Sequence, residues 1–202
     1  MNAKFKINGK TLETERLILR SFKETDLEDF YAYASIPGVG EMAGWKHHEN
    51  LEVTKKVLKI FIEEDNVFAI CLKASGQVIG SIGIKEYGME DKLSEFFDYR
   101  GCELGFVLHQ TYWGQGIMPE AVQAIIDYLF EVIDLDFIIC GHYSFNTQSK
   151  RVQEKLGFKP YRKVMINTAM DTKEAGVLSL LINPNKQLKL VFSHPETLIY
   201  EA

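Results

Sequence analysis

The sequence predicts an α+β protein in which helices flank one mixed, partly antiparallel twisted sheet. Short apolar or alternating segments recur along the chain and predict strands, while longer segments with helical periodicity predict helices between some of them. Their order is β-α-α-β-β-β-α-β-α-β-β. A helix stands on each side of the strand predicted at residues 137–141, whereas other strands follow one another directly. The sheet should therefore contain both parallel and antiparallel neighbours.

The first half of the chain is predicted to open with a loose lead-in over residues 1–13. Alternating apolar residues then predict a strand over residues 16–22. Thr25 and Glu28 have the spacing of a capping box, so a short helix should follow. The other elements predicted in this half are a helix over residues 51–64, a hairpin with strands at residues 67–73 and 77–84, and a long, mobile connection over residues 85–100.

The centre of the chain combines a strand, a glycine loop and an amphipathic helix. Residues 103–108 have a short, mostly apolar strand pattern, residues 113–117 read Trp-Gly-Gln-Gly-Ile, and Pro119 suits the first turn of the helix that follows. The first N–H groups of a helix have no internal partner, and the helix dipole adds about half a positive charge there. Because glycines let the backbone approach a ligand, this order predicts a phosphate or pyrophosphate site, with a plain strand–helix turn as the alternative. The P-loop motif is missing, and Met118 and Pro119 stand where a dinucleotide fingerprint would have its third glycine.

The second half of the chain completes the sheet. Patterning predicts a strand at residues 137–141 and a helix over residues 146–156 that ends at Gly157. Two more strands are predicted at residues 160–167 and 176–182. We expect a single domain over residues 1–184 and a C-terminal extension over residues 185–202, in which Leu188, Leu190 and Phe192 form a candidate edge strand.

Composition narrows the classes of protein. The chain has 202 residues, of which 46% are hydrophobic and 25% charged, as is typical of one soluble globular domain, and its net charge of −5 argues against a nonspecific nucleic-acid binder. Cys71, Cys102 and Cys140 form no Cys-x-x-Cys pair, which favours buried thiols in a reducing compartment. No secretory signal opens the chain and no segment has the ~18–20 apolar residues of a membrane span, so we expect a cytoplasmic protein without membrane contact. The five histidines lack metal-ligand spacing, so we expect no metal.

Three local signatures resemble the GNAT superfamily of acyl-CoA-dependent N-acetyltransferases. The segment Trp113–Ala121 is similar to the pyrophosphate loop of that superfamily, in the Trp-Gly-x-Gly form of the ribosomal-protein-alanine N-acetyltransferase branch. Residues 146–158 read Asn-x-x-Ser-x-Arg-Val-x-Glu-Lys-Leu-Gly-Phe and are similar to the late helix of the same branch. Residues 14–20, Thr-Glu-Arg-Leu-Ile-Leu-Arg, match its opening segment. The resemblance covers about residues 11–184 and implies a GNAT-like fold.

The resemblance implies that an acetyl group passes from acetyl-CoA to a primary amine by direct attack. Such a reaction needs a proton acceptor, fixed donors for the developing oxyanion, and a proton for the leaving thiolate. Glu103 is the candidate base, with Glu120 as its rival, and Ser149 is the candidate donor to the thiolate. Asn146 would bond the pantetheine arm of the cofactor or simply cap its helix. The candidate cofactor-binding residues are Asn146, the backbone of Phe106, Val107 and Leu108, the loop residues Trp113, Gly114, Gln115, Gly116, Ile117 and Met118, and Arg151, which with Lys150 and Lys155 would meet the 3′-phosphate.

Two departures from the superfamily pattern leave alternatives open. Met118 stands where the loop normally ends in Gly or Ala, and Gln153 stands where many members carry a Tyr as general acid. The branch resemblance implies a protein N-terminal amine as acceptor, and a small amine such as a polyamine, an amino acid or an antibiotic is the alternative. A protein of a different functional class, an acyl-CoA-binding sensor without turnover, is a second hypothesis. A nucleotide-binding regulator is a third hypothesis with less support from the sequence. The branch resemblance also implies a homodimer. Three aromatic residues are candidates either to line the acceptor pocket or to cover an edge of the core: Trp45, Tyr87 and Phe97.

Overall fold

The computed structural model describes residues 4–86, 93 and 96–188, and within them the predicted fold class is confirmed. Helices flank a mixed sheet of eight strands. The helices are α1 (Leu27–Ala34), α2 (Leu51–Glu64), α3 (Ile117–Asp127) and α4 (Thr147–Lys155). The strands are β1 (Leu12–Glu13), β2 (Leu17–Ser21), β3 (Val67–Leu72), β4 (Val78–Lys85), β5 (Gly101–Leu108), β6 (Phe137–Tyr143), β7 (Lys159–Asn167) and β8 (Lys173–Ile182).

The middle of the sheet opens into a wedge. The strand order is β1-β2-β3-β4-β5-β6-β8-β7, and all neighbours are antiparallel except β5 and β6. These two parallel strands pair only along Gly101–Leu104 and Phe137–Cys140. Both continue beyond that point, to Leu108 and Tyr143, without pairing with each other. Backbone groups at the carboxyl ends of β5 and β6 therefore face a gap rather than a partner strand.

The two faces of the sheet carry separate cores. Along β3, Phe68 and Ile70 pack into the core that includes α3, whereas Ala69 and Cys71 pack into the core beneath α1 and α2. This split follows from the period-2 alternation of side chains along a strand. Each large apolar side chain buried in this way contributes about 1.5–3 kcal/mol. The packing holds α3 against one face, with its first turn beside the wedge.

Two local predictions are wrong. The lead-in is not loose throughout, because Ile7 is only 1% exposed within the main core and β1 pairs with β2. The capping box of Thr25 and Glu28 does not form among the described residues. Instead, a short 3₁₀ turn precedes α1, and the carboxylate of Asp26 accepts a hydrogen bond from the N–H of Lys23 at 2.8 Å. The carboxylate of Asp26, one position after Thr25, thus caps the turn that leads into α1.

The remaining helix and strand predictions agree with the structure to within a few residues at their ends. Two predicted features lie partly outside the described residues: half of the connection predicted over residues 85–100 and most of the edge strand predicted in the tail. Leu188, the last described residue, packs against the core formed by β6, β7 and β8. In the described part of the chain, no helix combines the length and the apolarity needed to cross a bilayer.

Candidate functional site

A cleft of about 490 Å³ occupies the wedge between β5 and β6. Its walls come from β5, the glycine loop, the first turn of α3, the exposed side of α4 and the loop after α1. This volume lies in the range typical of small-molecule sites. Among the residues predicted from sequence, those that line the cleft are Glu103, Phe106, Val107, Leu108, Trp113, Gly114, Gly116, Ile117, Met118, Asn146, Ser149 and Arg151.

The glycine loop presents unpaired backbone donors to this cleft. Gly114 and Gly116 both have φ +76°, a left-handed conformation that costs other residues energy. No described residue accepts a hydrogen bond from the amide N–H of Gly114, Gly116, Ile117 or Met118. A Cβ built on Gly114 would meet no atom within 4 Å. Open space, free N–H groups and the positive end of α3 together fit a pyrophosphate.

Met118 does not obstruct the loop with its side chain. The side chain is only 6% exposed and packs into the main core, where it forms part of the cleft wall. Its backbone N–H stays with the other free amides of the first turn. The larger residue at this place in the pattern is therefore accommodated on the core side.

Arg16 fastens the loop to the N-terminal segment. Its Nε donates to Oε2 of Glu120 at 2.6 Å, and its Nη1 donates to the carbonyl of Gln115 at 3.1 Å. The hydroxyl of Thr14 and the N–H of Arg16 both donate to the other carboxylate oxygen of Glu120. Burial alone would raise the pKa of Glu120, but the hydrogen bonds from Thr14 and Arg16 lower it. Glu120 is thus an anchor whose two carboxylate oxygens both accept hydrogen bonds from the N-terminal segment, which leaves Glu103 as the better candidate base.

Two loop side chains are held by the protein itself. Trp113 donates from its indole Nε1 to the carbonyl of Leu108 at 2.8 Å, and Gln115 donates from Nε2 to the carbonyl of Thr111 at 2.7 Å. Trp113 lines the cleft, but the side chain of Gln115 does not. These bonds tie the loop to the end of β5 and to the turn before it. Direct cofactor contacts by either side chain stay predictions.

The pairing of β5 decides which of its amides face the wedge. The N–H of His109 donates to β4 at 2.8 Å, and bonded and non-bonded positions alternate along an antiparallel pair. Val107, opposite Ser81, therefore directs its N–H towards β4. Phe106 and Leu108 direct theirs towards the gap. Phe106 and Leu108 are therefore the candidate backbone donors to a ligand. Val107 also lines the cleft, but its N–H is directed at β4.

Glu103 lies at the start of the exposed wall, opposite Lys85 on β4. It is half-buried, and burial raises the pKa of its carboxyl while Lys85 opposes that rise. It is the one carboxylate among the described residues that line the cleft. A carboxylate with a raised pKa suits a proton acceptor that works near neutral pH.

The start of α4 is built by Asn146. Its Oδ1 accepts from the N–H of Ser149 at 3.0 Å, and its Nδ2 donates to the carbonyl of Met42 at 3.0 Å. The structure thus shows the helix-capping alternative, and Asn146 also joins α4 to the loop after α1. Its contact with a pantetheine arm stays a prediction.

One turn further along α4, Gln153 and Ser149 form a polar group at the edge of the cleft. Gln153 is 2% exposed, and its Nε2 lies 3.1 Å from Oγ of Ser149 and 3.3 Å from the carbonyl oxygen of Gly141. Its Oε1 lies 3.1 Å from Nδ1 of His142. His142 was not among the predicted site residues, and its only signal in the sequence was a single histidine directly after the apolar strand predicted at residues 137–141.

Part of the cleft wall is apolar. Val39, Met42, Ala43, Tyr143 and Ile166 line it, and none was predicted, because they come from loops and strands far apart in the chain.

The loop after α1, which contributes Val39, Met42 and Ala43 to that wall, is held by Glu41. This carboxylate accepts hydrogen bonds from the N–H of Gly38, the N–H of His47 and the ring Nδ1 of His47. Burial alone would raise its pKa, but the hydrogen bonds from His47 and Gly38 lower it to about 2.

The aromatic candidates for the acceptor pocket lie elsewhere. Trp45 packs beside His48 against the core beneath α1 and α2. This agrees with the alternative prediction, in which Trp45 covers an edge of the core. Phe97 is 76% exposed and does not line the cleft, and Tyr87 lies outside the described residues.

Two cations line the cleft from α4. These are Arg151 and Lys155, whereas Nζ of Lys150 lies 3.7 Å from the carboxylate of Glu154. Across the described residues, no three His, Cys, Asp or Glu side chains are grouped to hold a metal ion.

The family model of the acetyltransferase (GNAT) domain matches residues 16–159. The uncharacterized N-acetyltransferase p20 of Bacillus licheniformis is 28% identical over 155 residues, which cover 74% of this chain and 83% of that protein.

Solved structures share the fold. A GNAT-family acetyltransferase from Bacillus anthracis superposes with a TM-score of 0.74 at 23% identity, covering 86% of this chain and 98% of that one. The ribosomal-protein-S5-alanine acetyltransferase of Vibrio fischeri gives a TM-score of 0.65 at 21% identity, with 87% and 97% covered. The microcin C7 self-immunity acetyltransferase MccE, in complex with acetyl-CoA and AMP, gives 0.69 at 11% identity, with 84% and 93% covered.

Proposed function

Because the chain belongs to the GNAT acetyltransferase family, we propose that it moves the acetyl group of acetyl-CoA to a protein N-terminal amine by direct attack, in the cytoplasm. The observation that carries the acceptor assignment is the charge of the cleft. Glu103 is the single carboxylate among its described lining residues, and Lys85, Arg151 and Lys155 are cations.

Several features of the cleft support acetyl-CoA as the donor. Free amides at Gly114, Gly116, Ile117 and Met118 fit its pyrophosphate, as argued above. The N–H groups of Phe106 and Leu108 are directed at the gap, where they suit the amides of a pantetheine arm and the thioester oxygen. Cationic side chains on α4 suit the 3′-phosphate. A structural neighbour, MccE, was solved with acetyl-CoA bound.

Glu103 is the residue that takes the proton of the attacking amine, directly or through a water. A free α-amine has a pKa of about 7.7–8.0, so part of it is neutral at physiological pH, whereas a lysine-like amine titrates near 10.4. The raised pKa of Glu103 brings the base closer to the pKa of an α-amine. A positioned base of this kind is worth about 10²–10⁴-fold in rate.

The same cleft disfavours a polyamine. A polyamine brings several positive charges, and each buried charge needs a partner. Glu103 can pair with one ammonium, but the other charges would lie near Lys85 or over the apolar wall formed by Met42 and Ile166. A peptide N-terminus brings one amine on a chain that continues out of the cleft. The V. fischeri neighbour, by its title an acetyltransferase of ribosomal-protein-S5 alanine, points the same way.

Ser149 completes the proposed chemistry by donating its hydroxyl proton towards the sulfur as the carbon–sulfur bond breaks. One of the two backbone donors of β5 meets the oxygen that becomes negative when the amine attacks. The sensor alternative loses one of its two supports, since the side chain of Met118 lies in the core. A homodimer, with a part for residues 185–202, stays a prediction.

The test compares wild-type protein with Glu103→Gln on three acceptors: a peptide with a free N-terminus, the same peptide with a blocked N-terminus, and spermidine. We expect acetylation of the free peptide only, and a loss of about 10²–10⁴-fold in kcat for the variant with acetyl-CoA affinity kept. Glu52→Gln, at an exposed position on α2, is the matched control. Acetylation of spermidine in preference to the free peptide would overturn the acceptor assignment, and an unchanged kcat in Glu103→Gln would overturn the role of the base.

A further inference from the structure

We propose that Gln153 is a positioning residue that holds the hydroxyl of Ser149 with its proton directed at the thioester sulfur, and that the carbonyl group of Gly141, together with His142, holds Gln153 in the required orientation. This inference rests on the proposed function, because it concerns the departure of the thiolate in the same cleft. It assigns a use to the one buried polar residue that departs from the family pattern.

The orientation of the Gln153 amide follows from its neighbours. One of its two terminal atoms lies 3.3 Å from the carbonyl oxygen of Gly141, which can only accept a hydrogen bond. That atom must therefore be the amide nitrogen. The same nitrogen lies 3.1 Å from Oγ of Ser149, so its second hydrogen is donated there. The amide oxygen is left facing Nδ1 of His142 at 3.1 Å.

His142 is fixed by the same reasoning. The amide oxygen of Gln153 can only accept, so Nδ1 of His142 must carry a hydrogen. Burial lowers the pKa of His142, although its bond to Gln153 opposes the shift, so the neutral ring prevails near neutral pH. A turned-over amide would place its oxygen against the carbonyl oxygen of Gly141, which no change of tautomer at His142 can relieve. The carbonyl group of Gly141 thus leaves Gln153 only one favourable orientation, and His142 donates to the amide oxygen in that orientation.

The chain of donors ends at the hydroxyl of Ser149. His142 donates to Gln153, and Gln153 donates to Ser149, so a lone pair on Oγ of Ser149 is occupied. No described residue accepts the hydroxyl proton of Ser149 in return. Residues 149 and 153 are one helical turn apart on the side of α4 that meets the cleft, and Ser149 itself lines it. The proton is therefore available to the cleft, where a departing thiolate needs it.

A double-mutant cycle separates this role from mere bracing of α4. Gln153→Leu and Ser149→Ala should each lower kcat by about tenfold or more, with little change in the KM for acetyl-CoA. In the Ser149→Ala background, the additional Gln153→Leu change should alter kcat by less than about twofold, because no hydroxyl is left to position. Gln123→Leu, at an exposed position on α3, is the control and should keep wild-type kcat.

A second measurement needs no acceptor. The pKa of the thiol of bound CoA, followed by the ultraviolet absorbance of the thiolate, should be lower in the wild-type protein than in Gln153→Leu or Ser149→Ala. If Gln153→Leu does not fold, His142→Asn tests the same chain, because the amide oxygen of Gln153 then loses its ring donor, the amide is held less firmly, and the thiol pKa should rise part of the way.

The outcomes distinguish this inference from the proposed function. Equal losses of kcat from Gln153→Leu in both backgrounds, or an unchanged pKa of the bound thiol, would make Gln153 a brace and overturn the inference alone. Wild-type turnover that Ser149→Ala leaves unaffected would remove the donor role of Ser149 and the inference with it, while the transferase function stands. A wild-type protein that neither binds acetyl-CoA nor acetylates an amine would overturn the proposed function itself.

Discussion

Replacement of Gly114 by alanine should weaken acetyl-CoA binding while costing no more stability than the same replacement at Gly76. The two glycines have nearly the same backbone, with φ +76° and +75°, and an added Cβ would meet no atom within 4 Å at either position. A left-handed conformation costs an L-residue about 1–2 kcal/mol. For a domain of this size, that loss lowers Tm by about 2–8 °C, and it should be the same in both variants.

Their surroundings differ in one respect that matters for binding. Gly76 lies in the turn between β3 and β4, where its N–H donates to the carbonyl of Leu72. Gly114 lies in the cleft wall beside the free amides of the loop. A methyl group on Gly114 would enter the space that we assign to the pyrophosphate. We expect the Kd for acetyl-CoA to rise at least tenfold, about 1.4 kcal/mol, in Gly114→Ala and to stay unchanged in Gly76→Ala.

Titration calorimetry gives the two Kd values and differential scanning calorimetry gives the two Tm values. Because the variants share the same backbone penalty, any difference in Kd reports the space in front of the loop. The reasoning is refuted if Gly114→Ala binds acetyl-CoA as tightly as Gly76→Ala while both lose the same stability.

Three further changes test separate parts of the site. Arg16→Lys should raise the Kd for acetyl-CoA about three- to tenfold, because an ammonium cannot bridge a carboxylate and the loop carbonyl as a guanidinium does. Arg20→Lys breaks a similar pair of hydrogen bonds to Asp26 away from the cleft and should leave the calorimetric Kd unchanged. Equal effects of the two variants would contradict the role of Arg16 in holding the loop. Lys85→Met should move the acid limb of the pH profile of kcat/KM to higher pH. Lys85 opposes the burial that raises the pKa of Glu103, so without Lys85 that pKa rises further and Glu103 is protonated at a higher pH as the solution is acidified. An acid limb that does not move would argue against Glu103 as the base. Arg151→Ala should weaken CoA about tenfold but leave 3′-dephospho-CoA unaffected in the same titration, and matching losses for both ligands would place the 3′-phosphate elsewhere.

Features with local signals were predictable from the sequence. The helical periodicity over residues 51–64 coincides with α2 at both ends, because Asn50 caps its start and Asp65 adopts a left-handed conformation at its end. The strand, glycine loop and helix at the centre of the chain fold in the predicted order. In both cases a few neighbouring residues determine the backbone.

Features that depend on distant contacts were not predictable. Arg16 and Glu120 are 104 residues apart, and so are Met42 and Asn146. Side-chain periodicity therefore gave no indication that either pair meets.

The backbone donors of β5 show a related limit. Whether Phe106 or Val107 directs its amide at the wedge depends on the pairing of β5 with β4. Alternation of side chains describes the two faces of a strand but not its two edges. The prediction of a capping box at Thr25 and Glu28 was wrong for a simpler reason. The carboxylates of Asp26 and Glu28 were both candidates for the cap, and it is Asp26 that accepts the N–H of Lys23.

The most direct test of the central claim is titration of the purified protein with acetyl-CoA, with CoA and ATP as controls. The proposed site predicts saturable binding of one acetyl-CoA per chain near the micromolar range, about −8 kcal/mol, with competition by CoA and none by ATP. Absence of heat together with absence of thermal stabilisation by acetyl-CoA would contradict the assignment of the cleft. Competition by ATP would instead indicate that the glycine loop serves a different phosphate.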